Sequence, residues 1–120
     1  MFDINQDLDY FTKEEFACKH TGKNEIGVNF VHSLDELRSV CGFPFTITSG
    51  YRDITHPAEA RKSKGGVHTT GIAADIAVSN GIERATIIRN AIELGFNGIG
   101  VAKGFIHVDK RDLPQVVWTY

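Results

Sequence analysis

Three residues of metal-binding type stand in contexts that aim them at one point: His68, Asp75 and His107. Two neutral imidazoles and one carboxylate suit Zn²⁺, and three protein ligands leave a fourth position for water, as a catalytic zinc site needs. His68 lies in Gly65-Gly66-Val67-His68-Thr69-Thr70-Gly71, a glycine-flanked loop that leads into Ile72-Ala73-Ala74-Asp75-Ile76-Ala77-Val78. The second stretch reads as a strand, with Ile72, Ala74, Ile76 and Val78 on one face and Ala73, Asp75 and Ala77 on the other. A carboxylate flanked by small residues leaves space above it for an ion and a substrate. Far downstream, Phe105-Ile106-His107-Val108-Asp109 repeats the arrangement: Ile106 and Val108 face a core, and Phe105, His107 and Asp109 face away from it. Pattern alone leaves a second reading open, in which His68 is a loop histidine, Asp75 a satisfied strand carboxylate and His107 a half-buried ring.

These residues need a scaffold, and the rest of the chain supplies one. Thr12-Lys13-Glu14-Glu15-Phe16-Ala17-Cys18 reads as a short helix, with Thr12 as its cap, Glu15 closing a capping box and Phe11 packing on Phe16 as a hydrophobic staple. Lys19 to Gly27 reads as a loop. A second helix is expected from Val28 to Cys41, its apolar stripe formed by Phe30, Leu34, Leu37 and Cys41 with Val31 and Val40; Gly42 and Pro44 end it. His32 on that helix suits packing or surface better than metal ligation. Phe45-Thr46-Ile47-Thr48 alternates and is β-branched, so it predicts a strand that runs into the turn Ser49-Gly50-Tyr51-Arg52. Taken alone, Arg52 is a solvated loop charge. Pro57 opens a short predicted helix, Pro57-Ala58-Glu59-Ala60-Arg61-Lys62, and Lys64-Gly65-Gly66 gives a flexible approach to His68.

After the Asp75 strand, Ser79 or Asn80 caps a helix over Gly81 to Leu94, with a stripe through Ile82, Ala85, Ile88, Ala91 and Ile92 and a stop at Gly95. Asn97 to Ala102 and Phe105 to Asp109 predict a β-hairpin that turns at Lys103-Gly104. The tail, Leu113 to Tyr120, ends in aromatics expected to pin the C-terminus to the body rather than to bind sugar. Together these elements predict an α+β fold, a small antiparallel sheet with helices packed on one face.

Bulk properties narrow the function. At 120 residues the chain is expected to be one domain, residues 1–120, able to bury a modest core. It is 42% hydrophobic and 23% charged with a net charge of −2, so it has no basic footprint for nucleic acid or an anionic membrane. No apolar stretch approaches the roughly 20 residues that span a bilayer. Met1-Phe2-Asp3-Ile4-Asn5-Gln6-Asp7 lacks the basic and apolar regions of a signal peptide, so cytoplasmic synthesis is expected. Cys18 and Cys41 share no C-x-x-C spacing and read as small buried hydrophobes.

Several of these segments, taken in order, resemble one family. Ser49-Gly50-Tyr51-Arg52, His68-Thr69-Thr70-Gly71-Ile72-Ala73-Ala74-Asp75, Gly98-Ile99-Gly100-Val101 and Ile106-His107-Val108-Asp109 are similar to the zinc D-alanyl-D-alanine carboxypeptidases and murein endopeptidases. The similarity is to their single-domain phage and bacterial branch, and it extends from Phe11-Thr12 to Trp118-Thr119-Tyr120. The resemblance implies the hedgehog/DD-peptidase fold. It makes His68, Asp75 and His107 the zinc ligands and sets Arg52 to bind or polarise the scissile carbonyl or a terminal carboxylate, work that suits a permanently charged fork of donors.

It also implies zinc-dependent hydrolysis of amide bonds in peptidoglycan stem peptides or crosslinks. The chain is expected to be a monomer and to act on the cell wall after release, as an endolysin does, or as a virion component. The sequence departs from the family pattern in two places. Val67 stands where serine is common before the first ligand. Phe105 and Gly104 stand where several relatives place a proton acceptor before the last ligand, and neither can take a proton. Asp109 is the replacement candidate, either as general base or as a carboxylate that orients a ligand imidazole; Glu59 and His56 are weaker candidates. The missing acceptor favours a second class of function, a non-catalytic zinc-containing module that binds cell wall or builds a virion.

Overall fold

The computed structural model describes residues 8–53, 55–57 and 66–120. Its elements follow in chain order as a 3-10 turn at Lys13–Phe16, α1 at Val28–Cys41, β1 at Ile47–Ser49, a second 3-10 turn at Val67–Thr70 and β2 at Ala73–Ala77. Then come α2 at Gly81–Glu93, β3 at Gly98–Val101, β4 at Phe105–Asp109 and β5 at Val116–Thr119. The chain is α+β. One five-stranded sheet carries the order β1-β2-β4-β3-β5. Of the helix predicted from Pro57, residues 58–62 lie outside the described residues, as do Lys64 and Gly65 of the approach to His68.

Local chemistry explains where most elements start and stop. The Thr12 backbone N–H donates to Glu15 Oε2 at 2.7 Å, and the Phe11 and Phe16 rings meet edge to face at 5.5 Å, so box and staple both form. Only one turn follows, in 3-10 geometry. Helix α1 ends where Gly42 adopts the left-handed conformation at φ 78°. Asn80 caps α2 by accepting the Glu83 backbone N–H at 2.9 Å.

The two helices present Phe30, Val31, Leu34, Leu37, Ile87 and Ala91 to the core, and the sheet presents Ala74, Ile76, Ile99, Ile106 and Val108. The expected stripe of α2 holds at Ala91 and in part at Ile88 but fails elsewhere. Ile82 is 80% exposed and Ile92 is also exposed, whereas Ile87, outside that stripe, is fully buried. Isoleucines at 82, 87, 88 and 92 surround this helix, so the buried face is set by what packs on it rather than by its own periodicity. Val40 of α1 is likewise exposed at the end of its helix. Both cysteines are free thiols; Cys18 is buried and Cys41 only partly so.

Strands β1, β2, β4 and β3 pair antiparallel, as the alternation and the hairpin predict. The tail adds a feature absent from the sequence reading. It forms β5, which pairs parallel with β3 and makes the sheet mixed. Val116 N–H donates to Asn97 O at 2.7 Å and Tyr120 N–H to Val101 O at 3.3 Å, extending the ladder beyond the strand at both ends. Among the described residues no helix is long and apolar enough to cross a membrane.

Candidate metal centre

Sheet register assembles the site. Ser49 pairs with Asp75, Asp75 with His107, His107 with Gly100, and Gly100 with Trp118, so one cross-strand row runs over all five strands. Its side chains lie on the face opposite Ile76, Ile99 and Ile106, as period-2 alternation requires. The 3-10 turn at Val67–Thr70 hangs His68 over this row. Gly71, next in the chain, has φ 78° and sits against the Glu25 carbonyl, where a Cβ would collide.

Three donor atoms converge there. His107 Nδ1 lies 3.0 Å from Asp75 Oδ1 and 3.2 Å from His68 Nε2, and His68 Nε2 lies 3.3 Å from Asp75 Oδ1. All three residues are buried, and the group can hold a metal ion. Ligands held about 2.0–2.1 Å from a tetrahedral zinc are about 3.3 Å apart, so the spacing fits that ion. The hydrogen bonds behind the donors fix which atoms face inward. His68 Nδ1 lies 2.8 Å from Gly50 O, and a carbonyl can only accept, so Nδ1 carries the proton and Nε2 presents its lone pair. On His107 the roles are reversed: Nε2 donates to Asp109 Oδ2 at 2.7 Å and leaves Nδ1 for the cluster. Two nitrogen lone pairs and a carboxylate oxygen at this separation repel one another unless a cation lies between them.

Without a metal, a proton between the imidazole and carboxylate groups takes the place of that cation. Burial pushes the Asp75 carboxyl up, but hydrogen bonds from His107 and His68 outweigh it and hold the group down at about 2. Burial likewise pushes the His107 ring toward its neutral form, and hydrogen bonds to Asp109 and Asp75 overcome this and raise its pKa. Asp109, fully buried, is held well below the usual carboxylate range despite burial by the His107 ring and by Arg111.

A cavity of about 240 Å³ opens over the cluster, lined by Arg52, Val67, His68, Asp75, Phe105, His107, Trp118 and Tyr120. Arg52 borders it on one side: Nη2 is 3.5 Å from Asp75 Oδ2, Nε donates to Ser49 Oγ at 3.0 Å, and its backbone N–H donates to His68 O at 3.0 Å. It is therefore built into the site rather than solvated on a loop. Asp109 does not line this cavity. Both its oxygens are engaged, Oδ2 by His107 and both by Arg111, on the side of His107 away from the cluster. His56 lines a different cavity, which it shares with Lys19, Thr48 and Arg52. Glu59 lies outside the described residues.

Trp118 and Tyr120 are the site residues that the sequence reading assigned only to anchoring. The Trp118 ring lies 5.1 Å from the His107 ring, and the Tyr120 ring lies 5.1 Å from Phe105, tilted by 55°. Two glycines make this possible. A Cβ on Gly100 would come within 2.7 Å of the indole nitrogen, and a Cβ on Gly98 would fall on the Asp109 carboxylate. Alternate glycines on the polar face of a strand are the sequence signal that something lies across them.

A comparison with curated proteins finds no match. The family model described as Peptidase M15 matches residues 9–109, a span that takes in Arg52, every donor of the cluster and Asp109. This is the zinc D-alanyl-D-alanine peptidase family that the motifs resemble. The matched span covers most of the chain, and the chain belongs to the Peptidase M15 family.

Proposed function

We propose that this chain is a zinc peptidase that hydrolyses amide bonds in peptidoglycan stem peptides or crosslinks. The observation that carries the reading is the convergence of His68 Nε2, Asp75 Oδ1 and His107 Nδ1 beneath a cavity bordered by Arg52. Zinc held by these three residues would supply Lewis acidity toward a carbonyl and a water. The protein's own groups do the rest. The Gly50 carbonyl and Asp109 hold the two imidazoles in complementary tautomers, so their inward atoms need no rearrangement on metal binding. Arg52, anchored by Ser49, offers a fixed charge to the oxygen that becomes negative during amide attack, or to a substrate carboxylate. Phe105, Trp118 and Tyr120 add aromatic surface to the cavity lining, against which a substrate can pack.

Asp109 serves in this reading as the carboxylate that orients His107, not as the base. Among the described residues lining the cavity, only the ligands carry a carboxylate or imidazole, so the proton acceptor comes from elsewhere. Glu59→Gln and His56→Ala test the two remaining sequence candidates. The same lack of a second acid favours the alternative, a zinc-bearing module that binds wall peptides without cutting them. Incubating zinc-loaded protein with muropeptides of defined linkage and weighing the products by mass spectrometry separates the two. Cleavage lost in Arg52→Ala supports the peptidase; saturable binding with no cleavage of any linkage supports the module. Action on the cell wall after release, as an endolysin or from a virion, follows from the same proposal.

A further inference from the structure

Four side chains close a ring behind the metal cluster. His107 Nε2 donates to Asp109 Oδ2 at 2.7 Å, and Arg111 donates to Asp109 from Nη2 to Oδ2 at 2.7 Å and from Nε to Oδ1 at 2.9 Å. The Arg111 backbone N–H adds a third bond, to Oδ1 at 3.0 Å. Beyond Asp109, the Arg111 guanidinium lies 4.9 Å from the centre of the Trp118 ring, and Trp118 in turn lies 5.1 Å from His107. The ring thus joins a metal-facing imidazole, a buried carboxylate, a half-buried guanidinium and one wall of the substrate cavity.

We infer that Arg111 is a positioning residue that sets both the orientation of His107 and the placement of Trp118. The plane of an aspartate carboxylate is only loosely fixed by its own torsion. Gly98, directly opposite Asp109 in the sheet, has no side chain with which to hold it. The planar fork of Arg111 supplies that hold on both oxygens at once, which the point charge of a lysine cannot do. With Asp109 fixed, Nε2 of His107 stays the protonated nitrogen and Nδ1 stays aimed at Asp75. The other face of the guanidinium packs on the indole, a cation–π contact that keeps Trp118 over Gly100 and against His107. One residue outside the cavity lining therefore couples metal geometry to the shape of the substrate wall.

This inference rests on the metal cluster of the proposed function but not on its substrate, and its test needs no activity. Trp118 is the one tryptophan of the chain, so intrinsic emission reports directly on the ring. Zinc ion is titrated into metal-free wild type, Arg111→Lys and Arg111→Gln, with affinity read by competition against a chelator and emission recorded at each point. Arg111→Lys keeps the charge without the fork; Arg111→Gln keeps one donor without the charge. If either fails to match the circular dichroism of wild type, the other carries the test. The expected result is zinc binding weakened by roughly tenfold in both variants, the scale typical of losing a group that orients a ligand. Tryptophan emission should shift to the red and respond less to zinc. Wild-type affinity and emission in the folded variants would overturn the role of Arg111 while leaving the metal site standing. No zinc binding by wild type would instead overturn the metal reading, and this inference with it.

Discussion

Asp75 and His107 are direct partners across β2 and β4, and their side chains meet at 3.0 Å on the face turned away from the core. That single register relation brings two strand patterns, separate in sequence, together as two of the three residues of the candidate metal site. Replacing any one of His68, Asp75 or His107 by alanine is expected to abolish stoichiometric zinc. Elemental analysis of the purified variants checks this, and retention of one zinc per chain in any of them would remove that residue from the ligand set.

Acid should release the metal earlier than it would from ordinary imidazoles. The His107 pKa is raised above its usual 6.5 by Asp109 and Asp75 against the opposing effect of burial, so a proton competes with the ion at Nδ1 even near neutrality. Zinc binding to the metal-free protein is therefore expected to release a proton, with apparent affinity rising as pH increases until the raised pKa is passed. Isothermal titration in buffers of different ionisation enthalpy measures that proton count.

Metal-free protein should show a stability plateau with two edges. A raised His107 pKa contributes stability that is complete below about 6.5 and fades as pH climbs through the raised value. The depressed Asp75 carboxyl contributes above its ordinary 3.8 and loses that contribution as pH falls toward about 2. Thermal melts across pH, with and without a chelator, read both edges; Asp75→Asn should flatten the acid edge.

The two glycines of β3 should fail in different ways. Gly98→Ala puts a methyl on the Asp109 carboxylate and should weaken zinc binding, whereas Gly100→Ala crowds the indole of Trp118 and should shift tryptophan emission first. Each is expected to destabilise by about 1–3 kcal/mol, as overpacking commonly does. Equal effects of both variants on zinc affinity would argue against this division.

Helix α2 offers a check on the fold itself. Ile87→Ala, at a fully buried site, should cost about 2–5 kcal/mol. Ile82→Ala, at an exposed one, should stay within about 0.5 kcal/mol. Denaturant unfolding of the two variants measures the contrast.

The donors were legible in the chain because strand alternation has a period of two. Ile76 and Ile106 must face a core, so Asp75 and His107 must face away, and no tertiary knowledge is needed to say so. Gly42 and Asn80 marked helix ends equally well, since capping is settled within a few residues. The phase of α2 was not legible, because its isoleucines surround the helix and only the packed sheet and α1 select among them.

The site divides in the same way. Sequence alone determined which residue types and faces could hold the metal. Tertiary structure decided that Asp109 lies behind His107 rather than over the cavity, that Arg111 clamps it, and that the tail returns beside β3 to lay Trp118 across Gly100. Those relations depend on the register of strands distant in sequence and on parallel pairing of the last one. Local periodicity carries no information about either, because each is fixed only when the whole sheet has closed its hydrogen bonds.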